Sequence, residues 1–235
     1  HIGSNEINTP GDEPNVLVAM NPAALKANLD AVAKGGTVII NMDAFTEGNI
    51  KKAGYESSPI DGKELEGFLI IKANITSLTT AALNDLQLDS KSKARCKNFF
   101  ALGMTYYMFN REVEPTIDWV KEKFAKKQIL IDANVAALKA GRNFADTLEA
   151  IPNTYVVPKA KIQPGKYRTI NGNMGTAWGF IQAAEAAGLN LFLGSYPITP
   201  ATDILHELSK HKNFGVKPFQ AEDEIAGICS AIGAS

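Results

Sequence analysis

The chain has 235 residues, of which 45% are hydrophobic, 21% charged and 8% aromatic, a balance that excludes intrinsic disorder and collagen-like or low-complexity classes. Its 24 Lys and Arg against 25 Asp and Glu give a formal charge of −1, without the basic excess that a nucleic-acid partner would require. Apolar runs such as Val16–Met20 and Leu69–Ile71 fall far short of the ~20 residues that span a bilayer, and the length allows one or two domains at about 100–200 residues each.

Residues His1–Asn15 are polar, interrupted by Pro10, Gly11 and Pro14, and read as loop. Val16–Met20 reads as a buried parallel strand. Asn21 and Pro22 then open a helix whose Leu25, Leu29 and Val32 repeat at helical spacing, up to Gly35-Gly36. Thr37–Asn41 is the return strand, so this segment is a β–α–β unit. Met42–Gly67 is loop-rich. Phe68–Ile75 reads as a strand, and Thr76–Gln87, Lys91–Asn110, Thr116–Ala125 and Ile129–Leu148 read as helices. Pro152, Pro158 and Pro164 mark an extended linker, because proline disfavours helix before itself. The expected organisation is a domain over 1–149, a linker over 150–170 and a second domain over 171–235. In the second domain, helices are expected at Gly172–Ala187, Ala201–Lys212 and Ala221–Ser235, with strands at Leu191–Gly194 and Lys217–Gln220.

Two stretches could carry chemistry. The loop Gly194-Ser195-Tyr196-Pro197-Ile198-Thr199-Pro200 joins a strand to a helix, where open α/β sheets usually bind ligands. Thr199 could hold a ligand from this stiff loop or simply cap the helix. The second stretch is Gln220-Ala221-Glu222-Asp223-Glu224, ahead of a helix made of small and apolar residues. The helix dipole alone accounts for Glu222 and Asp223. Glu224 lies on the helix itself, and so apolar a helix is expected to be buried on most sides. A carboxyl in dry surroundings keeps its proton more readily and can donate a hydrogen bond, or else it too is a cap.

Residues Asn171–Ser235 resemble the start of the pyrimidine-binding domain of 2-oxoacid:ferredoxin oxidoreductase alpha chains. The resemblance rests on Gly172-Asn173, Tyr196-Pro197-Ile198-Thr199-Pro200 and Glu222-Asp223-Glu224 followed by Gly233-Ala234. Val16–Glu149 resembles the later part of the gamma domain fused ahead of it. Its marks are Gly11-Asp12-Glu13-Pro14, Asn21-Pro22-Ala23-Ala24-Leu25 and Cys96-Lys97-Asn98-Phe99-Phe100-Ala101-Leu102-Gly103. The resemblance implies an α/β fold with an incomplete gamma-type domain and an incomplete pyrimidine-type domain. It implies thiamine diphosphate as cofactor, with Glu224 as the activating carboxyl at N1′ of the aminopyrimidine. Thr199 would touch the cofactor or the substrate carbonyl, and Pro197 would line the pyrimidine through its backbone.

The implied reaction turns a 2-oxoacid and coenzyme A into acyl-CoA and CO₂, with electrons passing to ferredoxin, or runs in reverse. The gamma–alpha fusion and the Gly194-Ser195-Tyr196 lead-in favour 2-oxoglutarate, with pyruvate and branched-chain 2-oxoacids open. Mg²⁺ and an iron–sulfur cluster are expected on a separate beta subunit, and no metal on this chain. The absence of an initiator Met and a final Gly233-Ala234-Ser235 inside a helix suggest a piece of a longer polypeptide. The glycine-rich start of the gamma domain would precede His1, and the arginine for the substrate carboxylate would follow Ser235. Another thiamine-dependent enzyme and a non-catalytic assembly module are the alternatives.

The remaining candidates read as structural. His206 and His211 are solvated or packing side chains. Cys96 and Cys229 are small core residues without metal-ligand spacing. Phe99, Phe100, Tyr106, Tyr107 and Phe109 are core or interface. No leader pattern is visible, and two unpaired cysteines suit a reducing cytoplasm.

Overall fold

A computed structural model of the chain describes residues 1–5, 7, 9–147, 151 and 155–235. Leu148 and Glu149, at the expected end of the last gamma-domain helix and of its domain, and Ala150 and Pro152 of the expected linker, lie outside the described residues. The chain divides into two compact units, His1–Ile162 and Gln163–Ser235.

In the first unit, β1 (Val16–Ala19), β2 (Thr37–Asn41) and β3 (Leu69–Ala73) form a parallel sheet in the order β1-β2-β3. All five residues of central β2 are buried, and the alternation of a strand sends them to two separate cores. Ile39 joins Ile71 and Ala73 beneath α5 (Lys97–Met108), against Phe100, Ala101, Met104 and Met108. Val38 and Ile40 face the other way, against Leu25, Leu29 and Leu65. Each fully buried aliphatic or aromatic side chain contributes roughly 1.5–3 kcal/mol. Asn41, also buried, ties the carboxyl ends of the strands together. Its Nδ2 donates to Met20 O at 3.4 Å and Thr76 Oγ1 at 3.1 Å, and its Oδ1 accepts from Thr76 N.

Helix α1 (Pro22–Asn28) starts as its sequence dictates, with Asn21 Oδ1 accepting from Ala24 N at 2.8 Å and Pro22 in the first turn. It then tightens into a 3₁₀ turn over Leu29–Ala31 instead of running to Gly35. The stretch read as loop after β2 contains α2 (Glu47–Lys52), capped by the Thr46 hydroxyl. Ile50 is its buried anchor, and one apolar residue creates no periodicity to read. After α3 (Ile75–Ala82), the expected helix Lys91–Asn110 is two helices, α4 (Ser90–Arg95) and α5. The ladder opens at Cys96, where ψ is −5°. Its side chain stays in a cluster with Leu83, Ala133 and Ala137, and burial pushes the thiol pKa up.

Helices α6 (Glu114–Lys123) and α7 (Gln128–Thr147) complete the unit. The packing of α5 on α7 is backbone on backbone. A Cβ on Gly103 would lie 2.1 Å from Leu138 O, and one on Gly141 would lie 1.9 Å from Phe100 O.

The second unit opens with α8 (Gly172–Ala187), which has the expected limits. Asn171 Oδ1 caps it by accepting from Met174 N at 2.9 Å, and Gly188 ends it at φ 67°. Then follow β4 (Leu191–Ser195), α9 (Thr202–Leu208), β5 (Val216–Gln220) and α10 (Glu224–Ala234). Strands β4 and β5 pair in parallel, with Gly194 opposite Phe219 and Ser195 opposite Gln220. The core joins Ala177 and Ile181 of α8 to Leu208 of α9 and Val216 of β5, flanked by Trp178, Leu191, Leu193 and Ile204.

Glu207 of α9 is buried and charged. Lys210 Nζ donates to Oε2 at 2.7 Å and Trp178 Nε1 to Oε1 at 2.9 Å, while His211 Nε2 lies 3.2 Å from Oε1. Lys210 first, then the indole and His211, bring the carboxyl down to about 2 from its ordinary 4.5. His211 is thus a packing residue of a charged network, whereas His206 stands exposed, 4.0 Å from Asp203.

This packing sets the expected effect of three substitutions. Gly141→Ala should lower the stability of the first unit by more than about 2 kcal/mol. Gly48→Ala, placed in open space on α2, should raise it by roughly 0.5–1 kcal/mol; denaturant unfolding of the whole chain reads both. A lowered carboxyl favours the folded state above its ordinary value and loses that contribution as the pH falls toward its folded value. The stability difference between the native chain and Glu207→Gln should therefore be full above pH 4.5 and vanish toward pH 2. Trp178 fluorescence in a Trp119→Phe background measures it.

Candidate functional site

Both stretches singled out for chemistry leave the same end of the second sheet. The loop Tyr196–Pro200 follows β4, and Ala221–Asp223 follows β5 and leads into α10. Ala221 N donates to Ser195 O at 2.6 Å and closes this end of the strand pair. Gly194 then permits an approach that no other residue would. A Cβ there would lie 2.5 Å from both Gly227 O and Ser230 Oγ. Gly227, buried on α10, faces Ser195 and Tyr196 in turn. The helix that starts at Glu224 is therefore seated on the strand that feeds Pro197 and Thr199. Their segments meet at the carboxyl edge of a parallel pair, where α/β sheets form ligand crevices.

Thr199 is exposed, and among the described residues no hydrogen bond occupies its hydroxyl. It does not cap α9, whose cap position is Ala201 without a side-chain bond. Thr202 closes the loop instead. Its Oγ1 accepts from Ile198 N at 2.8 Å and donates to Ile198 O at 2.7 Å. Asn173, from the first turn of α8, donates through Nδ2 to Pro200 O at 3.0 Å. The Thr199–Pro200 peptide is cis. The reading of the sequence gave neither Thr202 nor Asn173 a role, although Asn173 lay inside one of the quoted motifs.

Glu224 corrects an expectation. Its side chain is exposed, and so is most of α10. Ile225, Ile228 and Ile232 are 69%, 58% and 67% exposed, and Cys229 is on the surface rather than in a core. Within its unit α10 meets β4 through Gly227, and its remaining faces have no cover from the described residues. Hydropathy marks a helix that tolerates burial; it does not supply the covering surface. Asp223 takes the capping role, with Oδ1 accepting from Ala226 N at 2.8 Å, which leaves the Glu224 carboxylate free.

The arrangement offers a carboxyl, an unengaged hydroxyl and a proline-stiffened backbone at one edge. That set fits a flat heterocycle with ring nitrogens to be hydrogen-bonded. It does not fit a diphosphate: Tyr196–Pro200 and Ala221–Glu224 contain no Lys or Arg, and three acids crowd the helix start.

A second polar constellation sits at the carboxyl edge of the first sheet. Asp43 accepts from Ser77 N at 2.8 Å, Ser77 Oγ at 2.7 Å and Asn74 Nδ2 at 3.1 Å. Burial opposes its charge, but these donors outweigh burial and hold the carboxyl below the usual carboxylate range. Its partners are all protein groups that fix the start of α3. Among the described residues, no group of His, Cys, Asp and Glu could hold a metal ion, and no helix is long and apolar enough to cross a membrane.

Comparison with known proteins matches the profile of the pyruvate ferredoxin/flavodoxin oxidoreductase family to residues 1–144. The profile of the pyruvate flavodoxin/ferredoxin oxidoreductase thiamine diphosphate-binding domain matches residues 182–235. The 2-oxoglutarate oxidoreductase subunit KorA of Mycobacterium tuberculosis is 51% identical over 234 residues, covering 100% of this chain and 36% of the relative. The alpha subunit of 2-oxoacid:ferredoxin oxidoreductase 1 from Sulfurisphaera tokodaii is 22% identical over 202 residues, covering 79% of this chain and 30% of that one. Among solved structures, the 2-oxoglutarate:ferredoxin oxidoreductase of Magnetococcus marinus, with 2-oxoglutarate, coenzyme A and succinyl-CoA bound, matches with a TM-score of 0.69 at 26% identity. That match covers 99% of this chain and 36% of the other. The chain thus spans about a third of the length of these relatives. With an α/β fold in both units and a profile match over most of its length, the chain belongs to the pyruvate ferredoxin/flavodoxin oxidoreductase family.

Proposed function

We propose that this chain is part of the alpha subunit of a 2-oxoacid:ferredoxin oxidoreductase acting on 2-oxoglutarate, and that it supplies the pyrimidine side of a thiamine diphosphate site. The observation that carries the reading is the seating of the Glu224 helix on the strand that leads to Pro197 and Thr199, through Gly194 and Gly227. It falls inside the stretch that matches the thiamine diphosphate-binding profile. The choice of 2-oxoglutarate is supported by the 51% identical relative and by the solved structure, both named for that substrate.

On this reading the cofactor supplies the electron sink for decarboxylation. Glu224 hydrogen-bonds a nitrogen of the aminopyrimidine and controls its protonation. Thr199 directs its hydroxyl at the cofactor or the substrate carbonyl, and the Pro197 backbone lines the ring. The reaction joins the acyl group of the 2-oxoacid to coenzyme A, releases CO₂ and passes two electrons to ferredoxin; the reverse direction uses the same groups. The acids beside Glu224 repel a diphosphate, so we place the diphosphate and Mg²⁺ on the beta subunit. The iron–sulfur cluster is placed there too, because Cys96 sits in the core of one unit and Cys229 on the surface of the other. The beta subunit would also cover the exposed isoleucines of α10 and give Glu224 its dry surroundings. A cytoplasmic location follows from two free cysteines and an assembly that serves ferredoxin.

Glu224→Gln in the assembled alpha–beta complex should lower kcat with 2-oxoglutarate by at least about a hundredfold, the scale of a lost acid–base group. Ferredoxin reduction at native rate by that variant would remove the assignment. Native complex that turns over pyruvate with a higher kcat/KM than 2-oxoglutarate would remove the substrate.

A further inference from the structure

The loop that carries Thr199 is held at both of its neighbours, by side chains and by the first backbone bonds of α9, Thr202 N donating to Ile198 O at 2.8 Å and Asp203 N to Pro200 O at 3.3 Å. On one side, the Thr202 hydroxyl grips Ile198 twice, accepting from its N–H at 2.8 Å and donating to its carbonyl at 2.7 Å. On the other side, the Asn173 amide donates to the Pro200 carbonyl at 3.0 Å. Thr199 lies between these fixed points, its hydroxyl open among the described residues and its side chain exposed. The two struts differ in origin. Thr202 begins α9, whereas Asn173 comes from α8, 27 residues earlier than Pro200. A turn that only had to reverse the chain would not need an amide from another helix.

We propose that Thr202 and Asn173 are positioning residues that preset the Ile198–Pro200 backbone so that the Thr199 hydroxyl meets the cofactor without rearrangement. The inference rests on the thiamine diphosphate reading and adds to it the two groups that hold the loop before the ligand arrives. A preset loop loses little conformational freedom on binding, and that freedom is a principal cost of forming a complex. Ile198 and Pro200 are exposed, so water can satisfy the groups that a truncated strut releases. The loss should therefore appear in ligand affinity more than in folding.

Thr202 allows a clean comparison. Thr202→Val keeps the shape and the backbone bond from residue 202 N to Ile198 O but removes both side-chain hydrogen bonds to Ile198; Thr202→Ser removes a methyl group and keeps them. In the assembled alpha–beta complex stripped of cofactor, titration calorimetry with thiamine diphosphate and Mg²⁺ measures the dissociation constant directly, and thermal unfolding checks assembly. Thr202→Val and Asn173→Ala should each weaken binding by roughly tenfold, the scale of one or two neutral hydrogen bonds. Thr202→Ser should restore affinity to within about twofold, with melting temperatures close to native throughout. Should Thr202→Val not assemble, Asn173→Ala carries the test alone. Thr199→Val separates the two levels of the argument. If it weakens binding while Thr202→Val and Asn173→Ala leave it within twofold of native, the positioning role is wrong and the cofactor reading stands. If Thr199→Val also binds as native, the assignment of Thr199 to the cofactor is wrong, and the positioning role fails with it.

Discussion

The second unit depends on one missing side chain. Gly194 on β4 lets the backbone of α10 lie directly on the strand, because a Cβ there would fall 2.5 Å from Gly227 O, whereas a Cβ on Gly227 itself would meet Ser195 and Tyr196 at ordinary contact distances. Everything placed at that end of the sheet inherits its geometry from this contact. Glu224 lies one turn before Gly227, and Pro197 and Thr199 lie a few residues beyond Gly194. A carboxyl and a hydroxyl remote in sequence thus share one edge because two backbones touch. The first unit uses the same device for a different purpose, with Gly103 and Gly141 locking α5 to α7. The close approach at Gly194 aligns the carboxyl edge of the second sheet; the pair in the first unit stiffens a scaffold.

Around the crevice the unit is rigid in some places and open in others. Trp178, Lys210 and His211 fix the buried charge of Glu207 and so join α8 to α9. The same two helices send Asn173 and Thr202 to the loop ends. The side chains offered to a ligand remain in water. Fixed supports thus stand behind free functional groups, the arrangement that lets a site be preorganised before a ligand arrives.

Much of the architecture was legible because local signals agreed. Asn171 and Gly188 bracket α8, and Asn21 with Pro22 opens α1. Thr37–Asn41, with apolar Val38-Ile39-Ile40 at its middle, read as the return strand of a β–α–β unit, and the structure buries all of it. Signals failed where they were too short or pointed outside the chain. Helix α2 has one buried anchor and left no period. The i,i+3 and i,i+4 spacing of Glu207 to Lys210 and His211 was visible, but Trp178, 29 residues away, was not. Thr199 and Thr202 look equivalent in a string of letters, and only the fold shows which hydroxyl is spent on the backbone. Helix α10 is the most instructive failure. Its composition was read as burial, yet composition records a preference and not the presence of a neighbour.

That uncovered helix face has a consequence for how the chain behaves in solution. Ile225, Ile228 and Ile232 lie three and four residues apart, so they fall on one side of α10 and form an exposed apolar stripe, a feature that favours self-association when nothing lies against it. Wherever that stripe is bare, the concentration of the chain sets how long it stays dispersed.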